Sequence, residues 1–301
     1  MKWLSMTRRQ MMLNSARGAA GLSLAWISAS CRSGSSGLSV GKSSKQGFKI
    51  GACDWSLGKS SDPGSFELAR LIGLDGVQVN IGGVKNDLHL RKPEVQKAFL
   101  EEAKKNRMEI ASFCLLDLNG VPYKSDPRTE QWVSDSIDVC KAMGVPVVML
   151  PFFGKADLRN DEKGAEVVVE RLKGVAPKAQ KAGVTIGLES QLSAEEHLDI
   201  INRVGSPAVK VYYDVGNSHK NGYDIYTEIR LLGSRRLCEF HAKDYDNLFG
   251  RGKIDFKEVR RAMDDAGYRG WIQIEGAKPL GLAASYRNNA EYLRRIFPRK
   301  A

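Results

Sequence analysis

The chain has 301 residues, of which 42% are apolar and 27% are charged, so it is long enough for one large α/β domain with a packed core. Its net charge of +11 is unevenly distributed: residues 1–47 contain seven basic residues and no acidic one, whereas the other 39 basic residues are offset by 35 acidic ones. The bulk of the chain is therefore close to neutral, which argues against a surface for binding nucleic acid.

Residues 1–31 have the pattern of a twin-arginine export signal. The pair Arg8-Arg9, within Thr-Arg-Arg-Gln-Met-Met, precedes a modestly apolar stretch over 19–27 and then small residues before Cys31. That stretch is too short, and too rich in Gly and Ser, to span a membrane as a helix. We predict export by the Tat machinery to the periplasm or envelope, with Cys31 as a candidate lipid anchor. The alternative is a disordered basic tail.

Residues 32–47 form a Ser/Gly linker with almost nothing to bury, so the leader is expected to be disordered and the folded domain to cover 48–301. Within that domain four cysteines lie in apolar strand-like or helical segments, namely Cys53, Cys114, Cys140 and Cys238. This placement predicts buried free thiols and not a disulfide framework.

From residue 48 onward, short apolar runs alternate with helix-like segments. Eight runs have the composition of buried parallel strands: 48–53, 76–80, 108–114, 147–151, 184–189, 208–214, 237–242 and 271–275. Helix signals lie between them, including Pro93 at a first turn, a capping box at Ser193 and an N-cap at Asp255. The alternation predicts an α/β fold, a single (β/α)8 TIM barrel. A doubly wound open sheet is disfavoured because no Gly-rich phosphate loop follows the first run.

Four residues of metal-binding type end successive strand-like runs: Glu189, Asp214, His241 and Glu275. In a barrel the C-terminal ends of the strands converge on one rim, so these side chains should meet. Three neighbouring carboxylates repel one another unless a cation lies between them. The sequence therefore predicts one divalent metal ion. Three oxygen donors and one nitrogen favour Mn²⁺, Mg²⁺ or Co²⁺, with Zn²⁺ as an alternative.

The segments LES, YYDVGNSH, EFHAKD, GKIDF and QIEG resemble the sugar phosphate isomerase/epimerase family, which has a xylose-isomerase-like TIM barrel. The resemblance covers roughly residues 48–297. It implies that Glu189 and Glu275 are both metal ligands and catalytic acid/base groups, on opposite sides of a bound sugar.

Five further residues are candidates for substrate binding. Many members of the family place a substrate-contacting His three residues after the aspartate; here Asn217 occupies that position and His219 follows it. The resemblance also implies a cation shortly after the metal-binding His, for which Lys243 and Arg251 are the candidates. Trp55, just after the first predicted strand, is a candidate for stacking on a sugar. The alternatives are solvated rim charges for the cations and core packing for Trp55.

Three more polar residues near predicted strand ends, Gln78, Asn80 and Ser112, are candidates for hydrogen bonds to sugar hydroxyls. The two remaining histidines, His89 and His197, are expected to be structural or solvent-facing, since His197 belongs to a predicted helix.

The predicted reaction is isomerisation or epimerisation of a sugar or keto-sugar through loss of a proton next to a carbonyl. Such a step needs a base, an acid, and a cation at the developing enediolate oxygen. The export signal and the lack of a phosphate-binding glycine loop favour a free sugar, a keto-sugar or a glycoside derivative. A lyase or hydratase with the same site, and a non-catalytic sugar-binding envelope protein, remain alternatives. A nuclease is disfavoured, because nucleases of this superfamily use His-rich sites and the chain has 4 His.

Overall fold

The structure is a computed structural model that describes residues 47–300. The predicted export signal, the candidate lipid anchor at Cys31 and all but the last residue of the linker lie outside the described residues. Those features stay predictions.

Eight parallel strands form a closed barrel in which each strand pairs with its sequence neighbours and the last pairs with the first. The strands are β1 (Lys49–Cys53), β2 (Gly76–Asn80), β3 (Glu109–Cys114), β4 (Val147–Phe152), β5 (Thr185–Ser190), β6 (Val209–Asp214), β7 (Leu237–Ala242) and β8 (Trp271–Ile274). The predicted (β/α)8 barrel is confirmed, and each predicted strand overlaps an observed one.

Helices surround the barrel and shield the apolar strands from water. Among the described residues they are α1 (Ser65–Ile72), α2 (Pro93–Asn106), α3 (Arg128–Met143), α4 (Glu162–Ala182), α5 (Ala194–Val204), α6 (Val215–Lys220), α7 (Ile225–Arg236), α8 (Phe256–Asp265) and α9 (Leu282–Ile296). None of them combines the length and apolar character needed to cross a membrane.

The local helix signals read from the sequence are present. Pro93 is the first residue of α2. Ser193 and Glu196 form the capping box that begins α5, with the Ser193 N–H donating to Glu196 Oε2 at 2.7 Å. Asp255 caps α8 by accepting a hydrogen bond from the N–H of Lys257 at 2.8 Å. These caps satisfy backbone groups that a helix end leaves without partners.

Two details refine the sequence-based picture. Glu275 lies one residue beyond β8 and not inside it, although its N–H still donates to the carbonyl of Ala242 at 2.9 Å. The predicted free thiols are confirmed: Cys53, Cys114 and Cys140 are buried, whereas Cys238 is half-buried.

Candidate active site

The four predicted metal ligands converge at the C-terminal rim of the barrel. One ligand atom from each of Glu189, Asp214, His241 and Glu275 lies within 4.8 Å of the other three. Glu189 is the second-to-last residue of β5, Asp214 is the last residue of β6, His241 is near the end of β7, and Glu275 follows β8. Consecutive parallel strands thus bring together residues that are far apart in sequence, as the barrel topology requires.

His241 is fully buried and its two ring nitrogens face different partners. Nδ1 lies 2.8 Å from Glu189 Oε1, 3.6 Å from Glu275 Oε2 and 3.9 Å from Asp214 Oδ2. Nε2 lies 2.7 Å from Gln78 Oε1. Burial opposes a charge on the imidazole, but the carboxylates of Glu189 and Glu275 outweigh it and raise the pKa of His241 to about 9.

Asp214 is held by the backbone that follows it. Its Oδ1 accepts hydrogen bonds from the N–H groups of Gly216 (2.8 Å) and Asn217 (2.9 Å), so the side chain caps α6. Its Oδ2 is buried and accepts no hydrogen bond within the described residues. The ammonium of Lys243 lies 2.8 Å from Oδ2 and forms an ion pair with it. One oxygen is therefore fixed and the other points at the site.

Glu275 has a partner at each carboxylate oxygen. The indole N–H of Trp55 donates to Oε1 at 2.7 Å, and the ammonium of Lys243 contacts Oε2. Burial alone would raise the pKa of Glu275, yet the positive charges of Lys243 and His241 outweigh burial and lower it to about 2. Glu189 differs: its burial dominates and raises its pKa. Two carboxylates of the same site thus have distinct surroundings.

The donor set fits a divalent cation. Three carboxylate oxygens and one imidazole nitrogen are the ligand types that hard or borderline divalent ions take. Two observations support the fit: Asp214 Oδ2 is directed into the cluster without a hydrogen bond, and Nδ1 of His241 faces all three carboxylates while Nε2 faces Gln78. With the Nε2 proton donated to Gln78, Nδ1 is the nitrogen that would bind a cation, and the cation would take the place of the Nδ1 proton that the raised pKa of His241 implies.

The predicted substrate-binding residues are distributed around this cluster. Lys243 contacts two of the four predicted ligands, and Trp55 contacts one. Asn217 is half-buried in α6, and His219 Nδ1 lies 2.6 Å from the hydroxyl of Tyr245. Arg251 is exposed in the loop between β7 and α8, and its side chain has no hydrogen bond or ion pair within residues 47–300. Contact of these residues with a sugar stays a prediction.

The other polar candidates have structural partners. Ser112 donates to the buried carboxylate of Glu239 at 2.8 Å, and the Asn80 amide donates to Ser60 at 3.1 Å. His197 lies buried between Ser190 and the carbonyl of Ser193, as expected for a structural histidine.

Three features escaped the sequence analysis. Gln78 is predicted as a sugar contact, and no pattern in the sequence predicts its bond to His241. Tyr245 was not singled out as the partner of His219. Glu239 was also missed, although it lies two residues before His241 in the same strand and so faces the same side. Burial raises the pKa of Glu239 to about 7, and Tyr212 and Ser112 donate to its carboxylate. Because every second side chain of a strand faces the same side, the position of Glu239 two residues before His241 was the sequence signal for its place in the barrel.

A family model described as the xylose isomerase-like TIM barrel matches residues 66–296, which is most of the described chain. The chain belongs to this family. Membership of this family agrees with the closed eight-strand barrel and with the rim position of the acidic and imidazole side chains.

Several known proteins are similar to the chain. It is 24% identical over 200 residues to the 2-epi-5-epi-valiolone 7-phosphate 2-epimerase of an Actinoplanes species, covering 65% of this chain and 72% of the relative. D-psicose 3-epimerase from Clostridium cellulolyticum, solved with D-tagatose, superposes with a TM-score of 0.70 at 17% identity over 83% of this chain and 99% of that one. A 3-keto-D-glucoside 4-epimerase from E. coli superposes with a TM-score of 0.68 at 14% identity. The superposition covers 82% of this chain and 99% of that one. At such identities the structural similarity shows a shared fold.

Proposed function

We propose that the chain is a metal-dependent epimerase or isomerase that acts on a sugar or keto-sugar. The observation that carries this proposal is the cluster of Glu189, Asp214, His241 and Glu275, whose ligand atoms lie within 4.8 Å of one another. The named activities of the similar proteins, which are epimerases of sugars and sugar derivatives, support an enzyme of this kind.

The proposed roles combine the contacts of the site with the acid/base roles that the family resemblance implies for Glu189 and Glu275. Asp214 and His241 hold a divalent ion, and Glu189 and Glu275 both bind it and exchange a proton with the carbon next to the substrate carbonyl. A bound divalent ion supplies positive charge where the enediolate oxygen develops. Trp55 and Lys243 orient the two oxygens of Glu275, so this carboxylate is held in place before the substrate arrives.

We infer a substrate without phosphate, such as a free sugar, a keto-sugar or a glycoside derivative. No Gly-rich phosphate loop occurs in the sequence, and the twin-arginine pattern at Arg8-Arg9 favours a site of action in the periplasm or envelope. Trp55, Asn217, His219, Lys243 and Arg251 are the proposed contacts to sugar oxygens and ring faces. Because three of the similar epimerases are named for phosphorylated compounds, phosphorylated ketoses belong in the same assay.

The experiment that tests the function combines metal content with proton exchange. Elemental mass spectrometry of the purified chain should find about one divalent ion per chain, and the ion should be lost from a Glu189→Gln/His241→Ala variant. The metal-loaded protein should then incorporate solvent deuterium into one of a panel of ketoses, whereas Glu189→Gln should not. Release of an unsaturated product, without an epimer, would instead identify a lyase. If the protein holds no metal and turns over no ketose but still binds a sugar, the result would favour a non-catalytic sugar-binding protein.

The proposed export has a separate test. Replacement of both Arg8 and Arg9 by Lys should retain the protein in the cytoplasm, as judged by cell fractionation, because the Tat machinery reads the arginine pair. An unchanged distribution of the protein would contradict the proposed route.

A further inference from the structure

Lys243 contacts the same oxygens that a metal ion would need. Its ammonium lies 2.8 Å from Asp214 Oδ2 and also contacts Glu275 Oε2. These two oxygens also face His241 Nδ1, at 3.9 and 3.6 Å. Two of the carboxylate oxygens that would bind a divalent ion are therefore also in contact with the ammonium of Lys243.

The position of Lys243 is built into two segments of the chain. Lys243 directly follows β7, and its side chain passes over Gly216 in the first turn of α6. A β-carbon added to Gly216 would lie only 2.3 Å from Lys243 Cγ and 3.0 Å from the Lys243 carbonyl oxygen. The missing side chain at Gly216 thus makes room for the lysine. The Gly216 N–H also holds Asp214 Oδ1, which leaves Oδ2 directed at the ammonium.

The charges of the site explain what this lysine does. Three carboxylates, of which Glu189 and Asp214 are almost completely buried, would repel one another strongly if no cation were present. The ammonium offsets one of the three negative charges, and a divalent ion bound beside a neutral His241 would bring the total to zero. Lys243 and the ion are both attracted to the same carboxylates and repel each other.

We propose that Lys243 is a built-in counter-ion that competes with the divalent ion for Asp214 and Glu275. It holds the carboxylates together in the ion-free protein and lowers the affinity of the site for the ion, so that the ion stays exchangeable. This inference rests on the proposed metal-dependent function, but it concerns how the chain controls ion binding and not the reaction.

The test uses Lys243→Met and Lys243→Gln, with Lys49→Met as a matched control. Lys49 pairs with Glu109 at 2.6 Å at the opposite end of the barrel, so its replacement removes the same charge far from the rim. Titration calorimetry measures Mn²⁺ affinity, and thermal denaturation with and without a chelator measures stability. We expect both Lys243 variants to bind Mn²⁺ at least about tenfold more tightly than the wild type, because a nearby positive charge is removed. The Lys49→Met variant should bind Mn²⁺ as the wild type does.

The same proposal predicts that the ion-free Lys243 variants melt at lower temperature than the ion-free wild type, and that saturating Mn²⁺ removes this difference. A variant that folds only with Mn²⁺ would also support it. Variants that fail to fold even with Mn²⁺ would overturn it, because the ion should replace the missing charge. Mn²⁺ affinity that is unchanged or weaker in the variants, while the wild type binds one ion, would overturn the counter-ion role alone. A wild type that binds no divalent ion would overturn the proposed function itself.

Discussion

The Nε2 atom of His241 lies 2.7 Å from Oε1 of Gln78, across 163 residues of sequence. The amide nitrogen of Gln78 is directed at the sulfur of Met149, 3.6 Å away, so the carbonyl oxygen is the group that faces the imidazole. The Nε2 proton is therefore assigned to this bond, and Nδ1 is left to face Glu189, Asp214 and Glu275.

Replacement of Gln78 by Leu should weaken divalent-ion binding by roughly 10- to 100-fold, because the ring loses the partner that sets its tautomer and orientation. Mn²⁺ titration calorimetry would measure the loss. Cys53→Ala is the matched control, since the Cys53 sulfur lies 3.3 Å from the same Nε2 but is a weak hydrogen-bonding group. An equal loss of affinity in both variants would contradict the assigned role of Gln78.

Replacement of Trp55 by Phe keeps an aromatic ring but removes the N–H that donates to Glu275. Because a hydrogen bond to a charged group contributes about 1.5–3 kcal/mol, we expect the rate of deuterium incorporation to fall roughly 10- to 100-fold. Trp132→Phe makes the same chemical change in α3, away from Glu275, and serves as the control that should leave the rate unchanged. If Trp55 instead acts mainly by stacking on the sugar, Trp55→Phe will be mild and Trp55→Ala will chiefly raise KM.

Asp54 should make the protein less stable as the pH rises from about 4 to 7. Its side chain is completely buried, and Oδ2 accepts hydrogen bonds from the N–H groups of Ser61 and Asn80, at 2.8 and 3.0 Å. Burial nevertheless dominates and raises its pKa from 3.8 to about 7. In this window the folded state keeps a proton that the unfolded chain has released, so stability is lost as the pH increases.

Urea denaturation at several pH values would measure this effect as the difference in unfolding free energy between wild type and Asp54→Asn. That difference should decline by up to ~1.4 kcal/mol per pH unit between pH 4 and 7. A difference that does not vary with pH would show that the carboxyl titrates at its ordinary pKa in the folded protein.

His197 should have the opposite effect in an overlapping window. It is buried, its Nε2 lies 2.9 Å from Ser190 Oγ, and its Nδ1 lies 3.0 Å from the carbonyl of Ser193. Burial lowers its pKa from 6.5 to about 4. Between these values the unfolded chain binds a proton that the folded state does not, so stability rises with pH and is lost on acidification.

The contribution of His197 appears when wild type is compared with His197→Gln by denaturation at pH 4.5, 5.5 and 6.5. The stability advantage of the wild type should increase with pH by up to ~1.4 kcal/mol per unit. The comparison with the variant isolates His197 from other groups that titrate over the same range, among them Asp54, which acts with the opposite sign. An advantage that decreases with pH would contradict the neutral state assigned to His197.

The sequence by itself determined the barrel and the meeting of four acidic and imidazole residues at its rim. Alternation of buried strands with capped helices is a local pattern, and parallel strands in a barrel direct their C-terminal ends to one side, so Glu189, Asp214, His241 and Glu275 had to converge. Only the tertiary structure decided which atoms meet. The bonds of Gln78 to His241 and of Trp55 to Glu275 join residues 163 and 220 positions apart, and the position of Lys243 depends on an absent side chain at Gly216. Such contacts depend on strand register and side-chain packing around the closed barrel, which no local pattern encodes.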